Sequence, residues 1–165
     1  MKQQTSQFQY KEYQHLEELS ESQRQLVTGA MEAARKAYAP YSSYHVGAAL
    51  RLKDDTVVTG NNQENAAYPS GLCAERVALF YAGARFPEQA VTSMAVVALQ
   101  NGSPQDEPVS PCGGCRQVLL EKESLGKEPI EVILYGSGRI WVISRARDLL
   151  PLPFQMDIPS GSELT

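Results

Sequence analysis

The sequence predicts an α/β domain with a mixed sheet of roughly five strands, and three observations support this prediction. Two short β-like runs, 46–52 and 56–60, flank the turn residues at 53–55 and predict a hairpin. Helical and strand patterns then alternate through the second half of the chain, which is typical of layered α/β folds. The run 93–99 is a continuous apolar strand of the kind that a sheet buries on both faces.

The first predicted helix precedes this hairpin. Ser20 or Ser22 can cap its start, and apolar residues follow at helical spacing. The helix is expected to run to about Tyr38, because Pro40 closes it. Residues 1–20 are polar and rich in Gln, and we interpret them as a lead-in that frays at its start.

Two buried helices and two further strands follow. One helix spans residues 71–82 and is expected to end at Gly83. Another opens at Pro111, because proline is favoured at the first helical position, and runs to about Glu123. The remaining predicted elements are strands at 130–135 and 139–143 and a short helix at 145–150.

Length and composition restrict the class of protein. A chain of 165 residues buries roughly 70% of its unfolded surface, so we expect residues 21–165 to form a single domain without disulfides. A hydrophobic fraction of 42% and a charged fraction of 21% exclude a disordered chain. No apolar run approaches the ~18 residues of a membrane span, and the start of the chain has no signal-peptide pattern, so we expect a cytoplasmic protein. The net charge of −4 disfavours nucleic acid as a partner.

Three cysteines carry most of the chemical information. Cys73 lies in Cys-Ala-Glu at the start of one predicted helix, and Cys112 and Cys115 lie in Pro-Cys-Gly-Gly-Cys at the start of the next. Helix N-termini lower the pKa of a thiol, and two residues between cysteines suit zinc binding by one helical turn. Three thiolates leave one position of a tetrahedral site open, which is the mark of a catalytic zinc ion.

Two alternatives to a catalytic zinc site are open at this point. A structural zinc site would take a buried His or Asp as its fourth ligand, and the only histidines are His15 and His45. A thioredoxin-like redox pair is disfavoured by the Gly-Gly between Cys112 and Cys115 and by the third cysteine.

The order of these motifs resembles that of a known enzyme family. Cys-x-Glu followed by Pro-Cys-x-x-Cys is the zinc-deaminase pattern, and residues 73–75 and 111–115 match it. Three further segments are similar to the family: Gly-Asn-Asn-Gln-Glu-Asn at 60–65, the first-strand sequence at 46–50, and Leu-Leu-Pro at 149–151 followed by Phe154. From about Ala33 to Phe154, the chain resembles the small homotetrameric cytidine deaminases of the cytidine/deoxycytidylate deaminase superfamily.

The resemblance implies a three-layer α/β/α fold and a Zn²⁺ cofactor. It further implies hydrolytic deamination of cytidine and 2′-deoxycytidine to uridine and 2′-deoxyuridine, in pyrimidine salvage, by a homotetramer. The implied metal ligands are Cys73, Cys112 and Cys115. Glu75 would be the catalytic proton carrier, and Arg76 would hydrogen-bond a cysteine sulfur. Arg76 would thereby offset the negative charge that three thiolates give a zinc site, with Arg116 as a second candidate for that task.

The resemblance also assigns a nucleoside site. The implied substrate-binding residues are Asn62, Glu64, Tyr44, Ala74 and Phe154. Asn62 and Glu64 would hold the ribose hydroxyls, and Phe154 would reach the site of a neighbouring subunit. Tyr44 lies where the family usually has a phenylalanine that stacks on the base, and His45 replaces the family's usual proline.

Three other functions are alternatives. A deaminase of blasticidin S shares the zinc pattern, but the segment 62–65 favours a substrate with a ribose ring. A nucleic-acid base editor needs a basic channel lined with aromatic residues, which the acidic composition disfavours. A non-catalytic zinc scaffold would need neither Glu75 nor an open ligand position.

Overall fold

A mixed seven-stranded sheet forms the centre of residues 1–156, the part of the chain that the computed structural model describes. In chain order the strands are β1 (Lys11–Tyr13), β2 (Tyr44–Leu52), β3 (Val57–Asn61), β4 (Val91–Gln100), β5 (Ser103–Pro104), β6 (Glu131–Tyr135) and β7 (Ile140–Ile143). The helices are α1 (Glu21–Ala34), α2 (Ala74–Arg85) and α3 (Gly113–Gly126), and short 3-10 helices lie at Leu16–Glu18, Tyr68–Ser70 and Ala146–Leu149. No helix in this part of the chain is long and apolar enough to cross a membrane.

The strands follow the order β1-β7-β6-β4-β2-β3, and the short β5 pairs with β4. β4 and β6 run parallel, whereas the other neighbouring strands run antiparallel. α1 packs against one face of the sheet, and α2 and α3 pack against the other. The predicted three-layer α/β/α arrangement is therefore confirmed, although the described sheet has seven strands rather than about five.

β4 is buried on both faces, as its continuous apolar sequence predicts. Met94 and Val96 pack in the cluster under α2 and α3, and Ala95 and Val97 pack in the cluster under α1. All four side chains are at most 1% exposed. β4 therefore contributes side chains to both hydrophobic cores of the described molecule, as its neighbours β2 and β6 also do.

The first strand lies inside residues 1–20, which the sequence predicts to be a polar lead-in that frays at its start. β1 pairs with β7, and the Trp141 indole stabilises the pairing because its Nε1 donates to Glu12 Oε2 over 2.9 Å. The same indole packs on Tyr10, with ring centroids 5.1 Å apart. Residues 11–13 thus belong to the sheet in spite of their polar sequence. Of the predicted domain range 21–165, residues 157–165 lie outside the described part of the chain.

α1 begins where one of the two predicted caps places it. The Ser20 hydroxyl accepts a hydrogen bond from Gln23 N, and the Gln23 side chain accepts one from Ser20 N, which forms a capping box. The helix ends at Ala34, earlier than the predicted Tyr38. The reason is that Tyr38 N donates instead to Asn62 O, over 3.1 Å, so the chain leaves the helix to pair with the segment after β3.

The predicted bounds of the later helices are also wrong. α2 continues through Gly83 to Arg85, and it ends because Phe86 precedes Pro87 and leaves the helical region at φ −133° and ψ 59°. The predicted last helix at 145–150 is a short 3-10 helix. α2 also begins at Ala74 rather than at Gly71, and α3 runs from Gly113 to Gly126 rather than from Pro111 to about Glu123. Cys73 and Cys112 are therefore N-cap residues.

The topology places the starts of α2 and α3 at one edge of the sheet. β3 and β4 each pair antiparallel with β2, so they run in the same direction, and β4 and β6 are parallel. α2 connects β3 to β4, and α3 connects β4 to β6. In such crossovers the helix starts beyond the carboxyl end of the preceding strand. The two helix N-termini therefore lie side by side.

Gly60 on β3 allows α2 to approach the sheet closely. A Cβ atom at this position would lie 2.6 Å from Ala78 N and 2.7 Å from Ala74 O, which are main-chain atoms of α2. Because neither atom can move without displacing the helix, only glycine fits. This contact sets the distance between the start of α2 and the sheet.

Substitution Gly60→Ala is expected to lower the free energy of unfolding by about 3 kcal/mol, because the new methyl group must push α2 outward. The matched control is Gly29→Ala in α1, where a Cβ would make ordinary contacts of 3.4 Å with Ala49 Cβ and 3.7 Å with Thr59 Cγ2. This control is expected to stabilise the protein by about 0.5–1 kcal/mol through helix propensity. Urea unfolding at equal zinc and protein concentrations measures both. An unfolding free energy of Gly60→Ala equal to that of the parent protein would contradict this account.

Candidate metal centre and adjoining cleft

Three cysteine sulfurs meet where α2 and α3 begin. Cys73 is the N-cap residue of α2, Cys112 is the N-cap residue of α3, and Cys115 lies in the first turn of α3. The Sγ atoms of Cys73 and Cys112 are 3.8 Å apart, and those of Cys112 and Cys115 are 3.4 Å apart. All three lie within 4.8 Å of one another. The three cysteines that the sequence predicts to be metal ligands therefore lie close together in the folded protein.

The distances suit a zinc ion. A tetrahedral ion with Zn–S bonds of about 2.3 Å separates its sulfurs by about 3.8 Å, close to the observed values. No fourth His, Cys, Asp or Glu ligand atom of residues 1–156 joins the group, and neither His15 nor His45 is part of it. The described residues thus offer three ligands and leave one position open, as in catalytic rather than structural zinc sites.

Positive charge surrounds the sulfurs. Both helices direct their N-termini at the group, and Arg76 Nη2 donates to Cys73 Sγ over 3.8 Å. In the absence of a metal ion, a hydrogen bond from Cys115, aided by Arg76, lowers the pKa of the Cys73 thiol to about 5. A thiolate is therefore present at neutral pH, and thiolates are the form of cysteine that binds zinc.

Arg116, the second candidate for offsetting the charge, has different contacts. Its Nε donates to Pro111 O over 2.8 Å, and its Nη1 donates to Leu149 O over 2.9 Å. The second bond ties the first turn of α3 to the short 3-10 helix at Ala146–Leu149. Of the two candidate arginines, Arg76 is the one that contacts a sulfur.

Glu75 lies directly beside the sulfurs, in the first turn of α2. It is 4% exposed, and burial raises the pKa of its carboxyl group, with the negative charge on Cys73 acting in the same direction. A carboxyl group whose pKa is raised can take up and release a proton nearer to neutral pH. The side chain also lines a cleft that opens next to the metal ligands.

This cleft has a volume of about 470 Å³ and brings together most of the residues that the sequence predicts. Its predicted members are Tyr44, Asn62, Glu64, Cys73, Glu75 and Cys112. Further members, which the sequence does not reveal, are Ser42, Val46, Val96, Val109 and Ser110. The cleft is therefore lined by two metal ligands and Glu75, by apolar side chains, and by the polar pair Asn62 and Glu64.

The Asn62 side chain joins β2 to the segment after β3. Its Oδ1 accepts a hydrogen bond from Val46 N over 2.7 Å, and its Nδ2 donates to Tyr44 O over 2.9 Å. One hydrogen of Nδ2 and one lone pair of Oδ1 remain for other partners. Asn62 thus shapes the wall that carries Tyr44 and keeps limited capacity to bind a ligand.

The Glu64 carboxylate is surrounded by the loop that precedes β2. Oε2 accepts from Tyr41 N over 2.9 Å and from Ser42 N over 3.3 Å, and Oε1 accepts from the Ser42 hydroxyl. The bond from Ser42 is the main reason why the pKa of the Glu64 carboxyl lies below its ordinary value. Glu64 is therefore an ionised acceptor at neutral pH.

The other three predicted substrate residues differ in where they lie. Tyr44 is half-buried in the cleft wall, and burial raises the pKa of its phenol, so its hydroxyl stays protonated. Ala74 has no exposed surface and does not line the cleft. Phe154 is 72% exposed and does not line the cleft of its own chain. Its main-chain carbonyl accepts a hydrogen bond from Gln117 Nε2 over 2.9 Å.

Ser42 and Ser110 are the polar members of the cleft that the sequence does not single out. Both are single serines in stretches rich in turn-forming residues, and such stretches contain many serines without a role in any site. Only the fold places them beside the sulfurs and the Glu64 carboxylate. Proximity of Ser110 to the Pro-Cys-Gly-Gly-Cys motif is the one signal that could have pointed to it.

The chain is similar to known proteins over most of its length. Residues 20–125 match the family model described as the cytidine and deoxycytidylate deaminase zinc-binding region. A cytidine deaminase of Halalkalibacterium halodurans is 47% identical over 96 residues, which cover 58% of this chain and 68% of the relative. A cytidine deaminase of Mycobacterium tuberculosis is 37% identical over 134 residues, which cover 78% of this chain and 86% of the relative.

Solved structures are similar as well. The crystal structure of cytidine deaminase from Burkholderia pseudomallei superposes with a TM-score of 0.68 at 44% identity, covering 79% of this chain and 97% of that one. That of cytidine deaminase from Mycobacterium tuberculosis superposes with a TM-score of 0.64 at 35% identity, covering 81% and 98%. Since the matched region is a zinc-binding one and the sulfur spacing fits, Zn²⁺ is the metal of the three-cysteine site.

Substitution Arg76→Gln is expected to speed zinc loss to a chelator about ten-fold or more, because the sulfurs lose the cation that shares their negative charge. The rate of zinc loss from Arg76→Lys, which keeps the charge, should lie between the rates of the parent protein and of Arg76→Gln. The matched control is Arg85→Gln at the exposed far end of the same helix, which should release zinc as the parent protein does. Equal release rates for Arg76→Gln and Arg85→Gln would show that the guanidinium beside Cys73 has no effect on the metal.

Proposed function

Since this chain belongs to the cytidine and deoxycytidylate deaminase family, we propose that it converts cytidine and 2′-deoxycytidine to uridine and 2′-deoxyuridine by zinc-dependent hydrolysis. The observation that carries the proposal is one cleft with two chemically different parts. Two of the metal ligands, Cys73 and Cys112, form the first part with the buried Glu75, and Asn62 and Glu64 form the second. A pyrimidine nucleoside has the same division, with a reactive base and a sugar with hydroxyl groups.

The three-cysteine site is assigned to the catalytic metal. Cys73, Cys112 and Cys115 hold Zn²⁺ through their thiolates. When bound, zinc supplies Lewis acidity, which makes hydroxide available near neutral pH. Arg76 and the N-termini of α2 and α3 counter the negative charge of the thiolates, which would otherwise oppose that acidity.

Glu75 moves the protons of the reaction. It accepts one proton from the attacking water and passes it to N3 of the pyrimidine, while the oxygen of that water bonds to C4. It then transfers the hydroxyl proton from the new C4 substituent to the amino group, which leaves as ammonia. One carboxyl group can perform both steps because burial brings its pKa closer to the operating pH.

The remaining residues bind the substrate. Asn62 and Glu64 are assigned to the sugar hydroxyls, since each lines the cleft and keeps hydrogen-bonding capacity beyond its bonds within the chain. Tyr44 provides an aromatic wall on which the base stacks. Ala74, at the first position of α2, is assigned a contact through its main chain.

The proposal also covers the oligomeric state, the cellular compartment, the domain range and the pathway. Phe154 is assigned to the site of a neighbouring subunit in a homotetramer, and its exposure outside its own cleft supports this. The cytoplasm is the assigned compartment, since zinc binding by three free cysteines requires reduced thiols. Residues 21–165 are assigned to a single deaminase domain. Pyrimidine salvage is the assigned pathway, because the substrates are free nucleosides.

Substitution Glu75→Ala is expected to leave the zinc content unchanged and to lower turnover of cytidine about 100-fold to 10,000-fold, because the proton carrier is lost. Glu75→Gln should have the same effect with little change of shape. The matched control is Glu121→Gln, a change of an exposed glutamate of α3, which should keep parental turnover. Near-parental turnover of zinc-loaded Glu75→Ala would disprove the assigned role.

A substrate panel tests the function itself. We expect the zinc-loaded protein to release ammonia from cytidine and 2′-deoxycytidine, and not from cytosine, adenosine or blasticidin S, because only the first two present both a cytosine base and a ribose or deoxyribose ring. Ammonia release and metal content are measured on the same preparation. Release from blasticidin S without release from cytidine would favour an antibiotic deaminase. A zinc-loaded protein inactive on all five compounds would favour a non-catalytic zinc module.

A further inference from the structure

The loop from Tyr41 to Tyr44 is built around the Glu64 carboxylate. Its main-chain N–H groups at Tyr41 and Ser42 donate to Oε2, and the Ser42 hydroxyl donates to Oε1. Between Ser42 and Tyr44 the chain passes through Ser43, whose φ of 55° is in the left-handed region. The loop therefore encloses the carboxylate from one side.

The Ser42 hydroxyl has a defined orientation in this arrangement. Tyr44 N donates to Ser42 Oγ over 3.0 Å, and a main-chain N–H has no capacity to accept. The hydroxyl proton must therefore point to Glu64, which as a carboxylate can only accept. Ser42 thus connects the first residue of β2 to the carboxylate.

These contacts use most of the hydrogen-bonding capacity of Glu64. A carboxylate offers about four acceptor positions. Two on Oε2 are taken by main-chain N–H groups, and one on Oε1 is taken by Ser42. Within the described residues, one position on Oε1 remains for a ligand.

We propose that Ser42 is a positioning residue for Glu64: its hydroxyl holds the carboxylate so that the remaining acceptor position on Oε1 receives a hydroxyl of the substrate's sugar. The proposal rests on the proposed function, since it takes a nucleoside as the ligand. It adds a residue that acts through Glu64 rather than on the reacting atoms. Ser42 also lines the cleft itself, so the effect is local to the site.

Substitution Ser42→Ala tests this role in the zinc-loaded protein. It is expected to raise KM for cytidine about ten-fold and to change kcat less than about two-fold, because a bond that orients a charged acceptor is lost while the metal and Glu75 are untouched. Ser42→Thr, which keeps the hydroxyl, should restore most of the affinity. Ser103→Ala, the same kind of change at an exposed serine of β5 that does not line the cleft, should behave as the parent protein.

A second substrate separates positioning from a general disturbance of the loop. 2′,3′-Dideoxycytidine has the same base and lacks both ring hydroxyls, so its KM should change less than about two-fold in Ser42→Ala. An equal rise of KM for both substrates would mean that Ser42 acts through Tyr44 and the loop, and would overturn the proposal. An unchanged KM for cytidine would overturn it as well.

A double-mutant cycle shows whether Ser42 acts through Glu64. In a Glu64→Gln background, Ser42→Ala is expected to change KM for cytidine less than about two-fold, because the carboxylate that it orients is already gone. Full additivity of the two substitutions would contradict the proposal.

One measurement is independent of the substrate. Carbon-13 NMR titration of the Glu64 carboxyl should give a higher pKa in Ser42→Ala than in the parent protein, because the hydrogen bond that stabilises the charged form is removed. An unchanged pKa would refute the positioning role whatever the enzyme acts on. Absence of ammonia release from cytidine by the parent protein, together with a raised pKa, would instead refute the proposed substrate and leave the positioning role supported.

Discussion

The site depends on one geometric constraint: two helices must begin side by side at the same edge of the sheet. Neither helix alone supplies three sulfurs, since Cys73 belongs to α2 and Cys112 and Cys115 belong to α3. The antiparallel β2 lies between β3 and β4, and this placement makes the two following helices start at the same edge. Packing in the core therefore decides whether the thiolates are close enough to share an ion.

The polar part of the cleft is also a product of the fold. Glu64 is bound by the loop before β2, and Asn62 is bound by the main chain of Tyr44 and Val46 at the start of β2. The same hydrogen bonds that hold the aromatic wall thus hold the polar groups assigned to the sugar. A site that is held in this way before a ligand arrives loses little conformational freedom on binding.

The parts of the site that follow from local spacing could be predicted from the sequence. The two-residue gap between Cys112 and Cys115, and Glu75 two positions after Cys73, are such patterns, and the family, the enzyme class and the zinc cofactor predicted from them are confirmed. The long-range contacts could not be predicted. Ser42 becomes part of the cleft only because its loop folds over Glu64, which is 22 positions away.

The same distinction holds for the fold. The apolar run of β4 predicts a strand buried on both faces, and the capping residue Ser20 predicts the start of α1. β1 has no such pattern, because its place in the sheet depends on Trp141, which is 129 positions from Glu12. The early end of α1 likewise depends on a main-chain bond from Tyr38 to a distant segment.

β1 has a consequence for how the folded protein behaves at high concentration. The sequence of β7 is Ile-Trp-Val-Ile, a run of β-branched and aromatic residues without charge, and an open strand of this kind is a template for amyloid-like stacking. β1 occupies that hydrogen-bonding edge with the short, charged sequence Lys-Glu-Tyr. The outermost strand on this side of the sheet is thus three residues long and polar, which discourages growth by addition of further chains. The tryptophan that holds β1 in place therefore also guards the protein against self-aggregation.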